Sequence, residues 1–109
     1  YLAFTAPHWP LHAREKDVAK YRGRYDGGWD ALRKERHKRM VEMGVIDAKW
    51  ALTERDPEVP AWDSAPEKAW QARRMEVYAA QVDAMDQAIG RVLRALEEKG
   101  EVENTLVLF

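Results

Sequence analysis

Residues 65 to 99 carry the strongest constraint on how this chain folds. Apolar side chains recur there at alternating steps of three and four: Met75, Tyr78, Val82, Met85, Ile89, Val92 and Leu96. That spacing is the period of an amphipathic helix, and Leu93 and Ala79 widen the stripe. Ser64 followed three residues later by Glu67 predicts a capping box at the start. Pro66 suits the first turn, where its missing N–H would have no partner anyway. Glu97 and Glu98 oppose the negative end of the helix dipole, Lys99 complements it, and Gly100 ends the run. The reading is one helix from about Ala65 to Lys99, its apolar stripe turned toward a core and Gly90 marking close backbone packing.

The two ends of the chain set the expected fold class. Tyr1-Leu-Ala-Phe-Thr5 is apolar, aromatic or β-branched, and so is Thr105-Leu-Val-Leu-Phe109. Both read as buried strands. With a helical excursion and the long helix between them, the order is strand, helical excursion, long helix, strand. The fold class expected is therefore α/β. The strands would be parallel neighbours joined by a right-handed crossover, with the long helix over one face. Apolar edge strands are aggregation templates and are normally paired or covered. The chain begins at Tyr1, already inside such a run. The expectation is that residues 1–109 are an internal segment of one larger domain, incomplete at both ends.

Between the ends, a short helix is expected around Glu15 to Tyr21, with Val18 and Tyr21 inward. Gly23, Gly27 and Gly28 then break the chain. A second helix should run from Trp29 to Met43, with Trp29, Leu32, Met40 and Met43 on one face and Gly44 as its stop. The basic run Arg33 to Arg39 is diluted by Asp30, Glu35 and Glu42 and reads as a solvated face, with His37 exposed. Residues Asp47 to Pro66 read as an ordered loop pinned by Trp50 and Trp62, because glycine and serine are scarce there. A net charge of −1 argues against a nucleic-acid partner. No run of the sequence is long and apolar enough to span a membrane. With no cysteine, these residues offer neither a disulfide nor a thiol nucleophile. The compartment stays open between cytoplasm and periplasm.

Candidate chemistry converges on His8. Pro7 and Pro10 bar a helix on either side of it. If Tyr1–Thr5 is a strand, His8 stands just past its carboxyl end, where open α/β sheets bind ligands. A histidine there can hydrogen-bond a loop, or donate a proton to an anionic substrate. Trp9 adjoins it and is a candidate substrate contact. His8 and His12 have the i, i+4 spacing of zinc ligands, but Pro10 interrupts the helix that spacing needs and no third ligand is near. No metal ligand is therefore assigned. Asp86 falls among Val82, Met85 and Ile89 and reads as a buried carboxylate with a structural partner. Tyr21-Arg-Gly-Arg-Tyr25 reads either as a substrate rim or as a turn held by two aromatic anchors.

Several blocks together resemble the bacterial arylsulfatases of the sulfatase family. They are Phe4-Thr-Ala-Pro-His-Trp-Pro-Leu11, Tyr21-Arg-Gly-Arg-Tyr-Asp26 with Gly28-Trp29, and Met75-Glu-Val-Tyr-Ala-Ala80. Val82-Asp-Ala-Met-Asp-Gln-Ala-Ile-Gly-Arg-Val92 and Asn104-Thr-Leu-Val-Leu-Phe109 complete the set, in the family's order. The resemblance implies a piece of an alkaline-phosphatase-like domain that hydrolyses sulfate monoesters. It implies a formylglycine nucleophile and a calcium ion, both supplied by residues outside this chain. It makes His8 the active-site histidine that contacts the sulfate group, Trp9 a substrate neighbour and Asp86 structural. On this reading the partners are the remainder of the parent polypeptide and the sulfate ester, and the segment alone is inactive. Two alternatives stand beside it. One is a phosphonate or phosphodiester hydrolase of the same superfamily, and the other is a non-catalytic helical interaction module using the apolar stripe of the long helix.

Overall fold

The structure, a computed structural model, describes residues 1–108. Helix α1 spans Glu15–Val18 and runs into a 3-10 turn at Ala19–Tyr21. Helix α2 spans Gly28–Glu42, a 3-10 turn follows at Trp62–Ser64, and α3 spans Lys68–Glu98. A last 3-10 turn occupies Val102–Asn104. Helix α3 is 31 residues long, which at 1.5 Å per residue is about 46 Å.

The α/β expectation is overturned, because no strand forms among the described residues. Tyr1–Thr5 is irregular and exposed, and its one turn bond runs from the His8 N–H to the Thr5 carbonyl at 3.0 Å. Thr105–Leu108 is likewise irregular and exposed, and Phe109 lies outside the described residues. The physical reason is that β-branched and aromatic residues only suit a pleated surface. A strand exists through its ladder, and no ladder joins these two runs. The alkaline-phosphatase-like order of strand, helical excursion, long helix, strand thus reduces to its helical middle. The Cα radius of gyration is 17.5 Å, against about 13 Å for a closed domain of this length.

Helix α3 forms where the periodicity places it, but it buries a different face. Its buried residues are Ala72, Glu76, Ala80 and Gln81. Met75, Tyr78, Val82 and Val92 on the expected stripe are 36–40% exposed. Asp86 is exposed as well, which corrects its reading as a buried carboxylate. A Cβ at Gly90 would meet only the Arg94 guanidinium, at 3.5 Å, so no backbone packs closely there. The capping box is absent: the Ser64 hydroxyl donates to the Ala61 carbonyl at 3.1 Å. Glu67 is itself the N-cap, in left-handed conformation. The 3-10 turn at Trp62–Ser64 ends before the helix begins, so Ser64 is too early to cap it.

The face that α3 buries is chosen by charge as much as by apolar area. Val18 of α1 is 1% exposed and Ala80 of α3 is 0% exposed, and they lie on elements packed together. Around this small dry contact runs a polar seam. Glu76 Oε1 accepts the Gly23 N–H at 2.8 Å, and Oε2 accepts from Arg73 at 3.0 Å. Arg73 and Arg22 both donate to Glu15, at 2.8 and 2.9 Å. Lys20 bridges Asp83 at 2.7 Å and the buried Asp17 at 3.4 Å. Arg14 completes the Asp17 pairing at 3.1 Å. Burial pushes the Glu76 carboxyl up, but the Gly23 N–H and the Arg73 guanidinium outweigh it and hold the group below its usual range. The Tyr21–Tyr25 segment is therefore a turn whose glycine N–H is spent on α3.

Helix α2 closes with two interlocked bonds. The Val45 N–H reaches the Met40 carbonyl at 2.9 Å and the Gly44 N–H reaches Val41 at 3.0 Å, the Schellman arrangement expected of a glycine stop. The loop from Asp47 to Pro66 lies along α2. Asp30 accepts from the Trp62 N–H at 2.8 Å and from Arg55 at 3.1 Å, which together hold its carboxyl below the ordinary value. The Trp29 indole N–H reaches the Pro60 carbonyl at 3.1 Å, and its ring meets Trp62 edge to face at 4.7 Å. Trp62 pins the loop as expected, whereas the Trp50 ring is exposed. Trp50 is held by its backbone: its N–H donates to the Asp47 carbonyl at 3.0 Å, and its carbonyl meets His37 Nε2 at 2.7 Å, so His37 is engaged and half-buried. Gly28 sits under the Trp62 ring with a left-handed φ of 76°, and a Cβ there would overlap the indole.

Two outcomes follow from this packing. Gly28→Ala should cost about 2–4 kcal/mol through overlap with Trp62 and the left-handed backbone, read as a lower denaturant midpoint at unchanged slope. Because folding lowers the Glu76 pKa, its contribution is complete above the unfolded value of about 4.5 and is lost as pH falls through the folded value. Glu76→Gln should therefore be less stable at pH 7. Its gap to the parent should narrow as pH drops below about 4.5, measured by denaturant melts across pH.

Candidate functional site

His8 stands in a short loop built by two prolines, Pro7 and Pro10, each preceded by a cis peptide bond. The loop turns back on itself through the His8 N–H to Thr5 carbonyl bond. His8 Nδ1 lies 2.8 Å from the Trp9 carbonyl. A carbonyl only accepts, so Nδ1 carries the proton of that bond. In the neutral ring Nε2 is then the bare nitrogen, and in the charged ring it is a second donor. His8 is exposed, and no hydrogen bond engages Nε2 among the described residues.

A cleft of about 620 Å³ opens beside it. Phe4, Trp9 and Pro10 give apolar wall, while His8, His12 and Gln81 supply polar groups. Trp9 is exposed, and the Arg74 guanidinium lies over its ring at 4.9 Å from the centroid. That cation–π contact ties the loop to α3. Both sequence-derived site residues, His8 and Trp9, therefore line one cleft. Sequence reasoning missed the two α3 residues that meet the loop, Arg74 and Gln81. Asp86 lies elsewhere, on the rim of a separate cleft of about 590 Å³ that also involves Tyr25, Trp29 and Tyr78.

The donor set here does not fit the calcium ion or the formylglycine that the resemblance implies. Among the described residues no three His, Cys, Asp or Glu side chains converge to hold a metal. The chain has no cysteine, and its single serine, Ser64, donates to a backbone carbonyl in a turn. What the loop presents is one proton-carrying imidazole with a fixed tautomer, next to apolar wall. Once protonated, that ring offers a second N–H at Nε2, which suits donation to an anion or to a departing oxygen. No helix among the described residues is long and apolar enough to cross a membrane.

Comparison with known proteins bears on this geometry. A family model described as Sulfatase matches residues 1–109. An uncharacterized sulfatase of Schizosaccharomyces pombe is 45% identical over 112 residues, covering 100% of this chain and 20% of that protein. An arylsulfatase of Klebsiella aerogenes is 35% identical over 111 residues, covering 100% of this chain and 24% of that protein. The chain thus spans about a fifth to a quarter of the length of these curated relatives.

The hydrogen bond at Nδ1 has a direct spectroscopic consequence. Long-range 1H–15N correlation should show neutral His8 as the Nδ1–H tautomer, with Nε2 unprotonated. A dominant Nε2–H form would contradict the bond to the Trp9 carbonyl.

Proposed function

This chain belongs to the sulfatase family, and we propose that it serves the hydrolysis of sulfate monoesters by supplying an active-site histidine, His8. The observation that carries the proposal is the bond that anchors the His8 ring at Nδ1. With Nδ1–H held by the Trp9 carbonyl at 2.8 Å, the protonated ring keeps Nε2–H as its free donor beside the cleft. There it donates a hydrogen bond to a sulfate oxygen or to the ester oxygen. As the S–O bond to the leaving group breaks, negative charge grows on that ester oxygen. A donor already in place stabilises the charge and passes its proton to the departing alcohol or phenol. Trp9 supplies apolar surface for the organic part of the ester.

The nucleophile and metal of the reaction belong, on this proposal, to the remainder of a longer polypeptide. The residues of this chain fit neither group, and no step above is routed through them. The 109-residue segment alone is expected to be inactive.

In the full-length protein, His8→Ala should lower kcat/KM for an aryl sulfate by about 10²- to 10⁴-fold, the usual range for a lost acid–base group. Turnover that stays essentially unchanged would remove His8 from the chemistry. Assaying an aryl phosphodiester in parallel should give the lower kcat/KM, and the reverse order would move the assignment to a phosphodiesterase.

A further inference from the structure

Gln81 has an unmet hydrogen-bond requirement beside the His8 loop. It is 7% exposed, and its Oε1 is sealed from solvent with no donor among the described residues. Buried amide oxygens almost always have a donor. Gln81 lies where two clefts meet. One, of about 620 Å³, contains His8, and the other, of about 290 Å³, contains Arg14 and Asp17. His12 lines both clefts. The Arg14 guanidinium is already committed to Asp17 at 3.1 Å. The His12 ring is exposed, is free to turn, and carries at least one N–H donor in every protonation state.

We propose that His12 turns from its present rotamer to donate a ring N–H to Gln81 Oε1, and that this bond is the second point of a clamp holding the His8 loop on α3. The first point is Arg74 over the Trp9 ring at 4.9 Å. Arg74 and Gln81 are seven residues apart, which places them on one face of α3 about 10.5 Å apart along its axis. Trp9 and His12 are the matching points on the loop, three residues apart with Pro10 between them. The clamp governs His8 because the His8 ring is bonded to the Trp9 carbonyl. A loop released at one end lets that carbonyl move, and the imidazole turns with it. Gln81 is thus a positioning residue that acts through the loop.

The catalytic half of this inference rests on the proposed role of His8, and the structural half does not. The test uses the full-length protein with 15N-labelled histidine, reading the His12 tautomer by long-range 1H–15N correlation. His12 should occupy a single neutral tautomer. Gln81→Met, similar in shape but lacking the acceptor, should release it to the mixture of a free imidazole. Gln81→Glu retains an acceptor and should restore the single tautomer. For an aryl sulfate, kcat should fall about tenfold in Gln81→Met with KM nearly unchanged, as expected of a misplaced catalytic group, and should recover in Gln81→Glu. A His12 tautomer indifferent to Gln81→Met overturns the bond, and Gln81→Glu reports on the same bond if Gln81→Met fails to fold. A tautomer that responds while kcat stays put overturns the clamp's role, provided His8→Ala is itself impaired. If His8→Ala is fully active, the His8 assignment is what fails, and the tautomer alone decides the clamp.

Discussion

The polar seam between the α1 segment and α3 is the contact on which the rest of this structure depends. Among the described residues only Val18, Ala65, Ala72 and Ala80 are buried apolar side chains, too little area to orient a 31-residue helix by itself. Glu76 does the orienting. Its carboxylate takes a backbone N–H from the Gly23 turn and a guanidinium from its own helix. Lys20 fixes the same pairing about two turns further on, through Asp83. A carboxylate this dry requires its partners, so the register of the turn against α3 is specified, not merely favoured. Once that register is set, Arg74 and Gln81 fall where the His8 loop crosses.

Local structure was legible in the sequence wherever the signal was local. Helices α2 and α3 appear within a few residues of the boundaries that periodicity and glycine stops indicate. What periodicity did not reveal was the face. Met75, Tyr78 and Val82 form a regular stripe, yet Glu76, Ala80 and Gln81 are the buried positions. A hydrophobic stripe reports which face could be covered, whereas burial depends on what lies across from it. The same distinction explains Asp86 and Asp83. Asp86 is flanked by apolar neighbours in sequence but exposed, while Asp83 meets Lys20, which is 63 residues away. The strand expectation failed for a related reason. Tyr1–Thr5 and Thr105–Leu108 have sheet-like composition, but a sheet is a relation between segments that composition does not encode.

The site was half legible. Two prolines around a histidine, and the ordered blocks shared with the sulfatases, single out His8 and Trp9 from sequence. Family membership follows from the match over residues 1–109. The fixed tautomer is a property of geometry, since Nδ1 meets a carbonyl one residue away only because of how the loop turns. Arg74 and Gln81 gave no signal of their own. An arginine and a glutamine on a charged, alanine-rich helix look like solvated positions until the loop is seen to lie over them.

The edge-to-face pair of Trp29 and Trp62, 4.7 Å apart, has a consequence for observing this molecule. Two indoles at that separation couple their electronic transitions, so the pair is a chromophore distinct from the three other tryptophans. It forms only when the Asp47–Pro66 segment is docked on α2. The chain therefore contains its own optical gauge of loop docking, which can be followed in time by circular dichroism with no label attached.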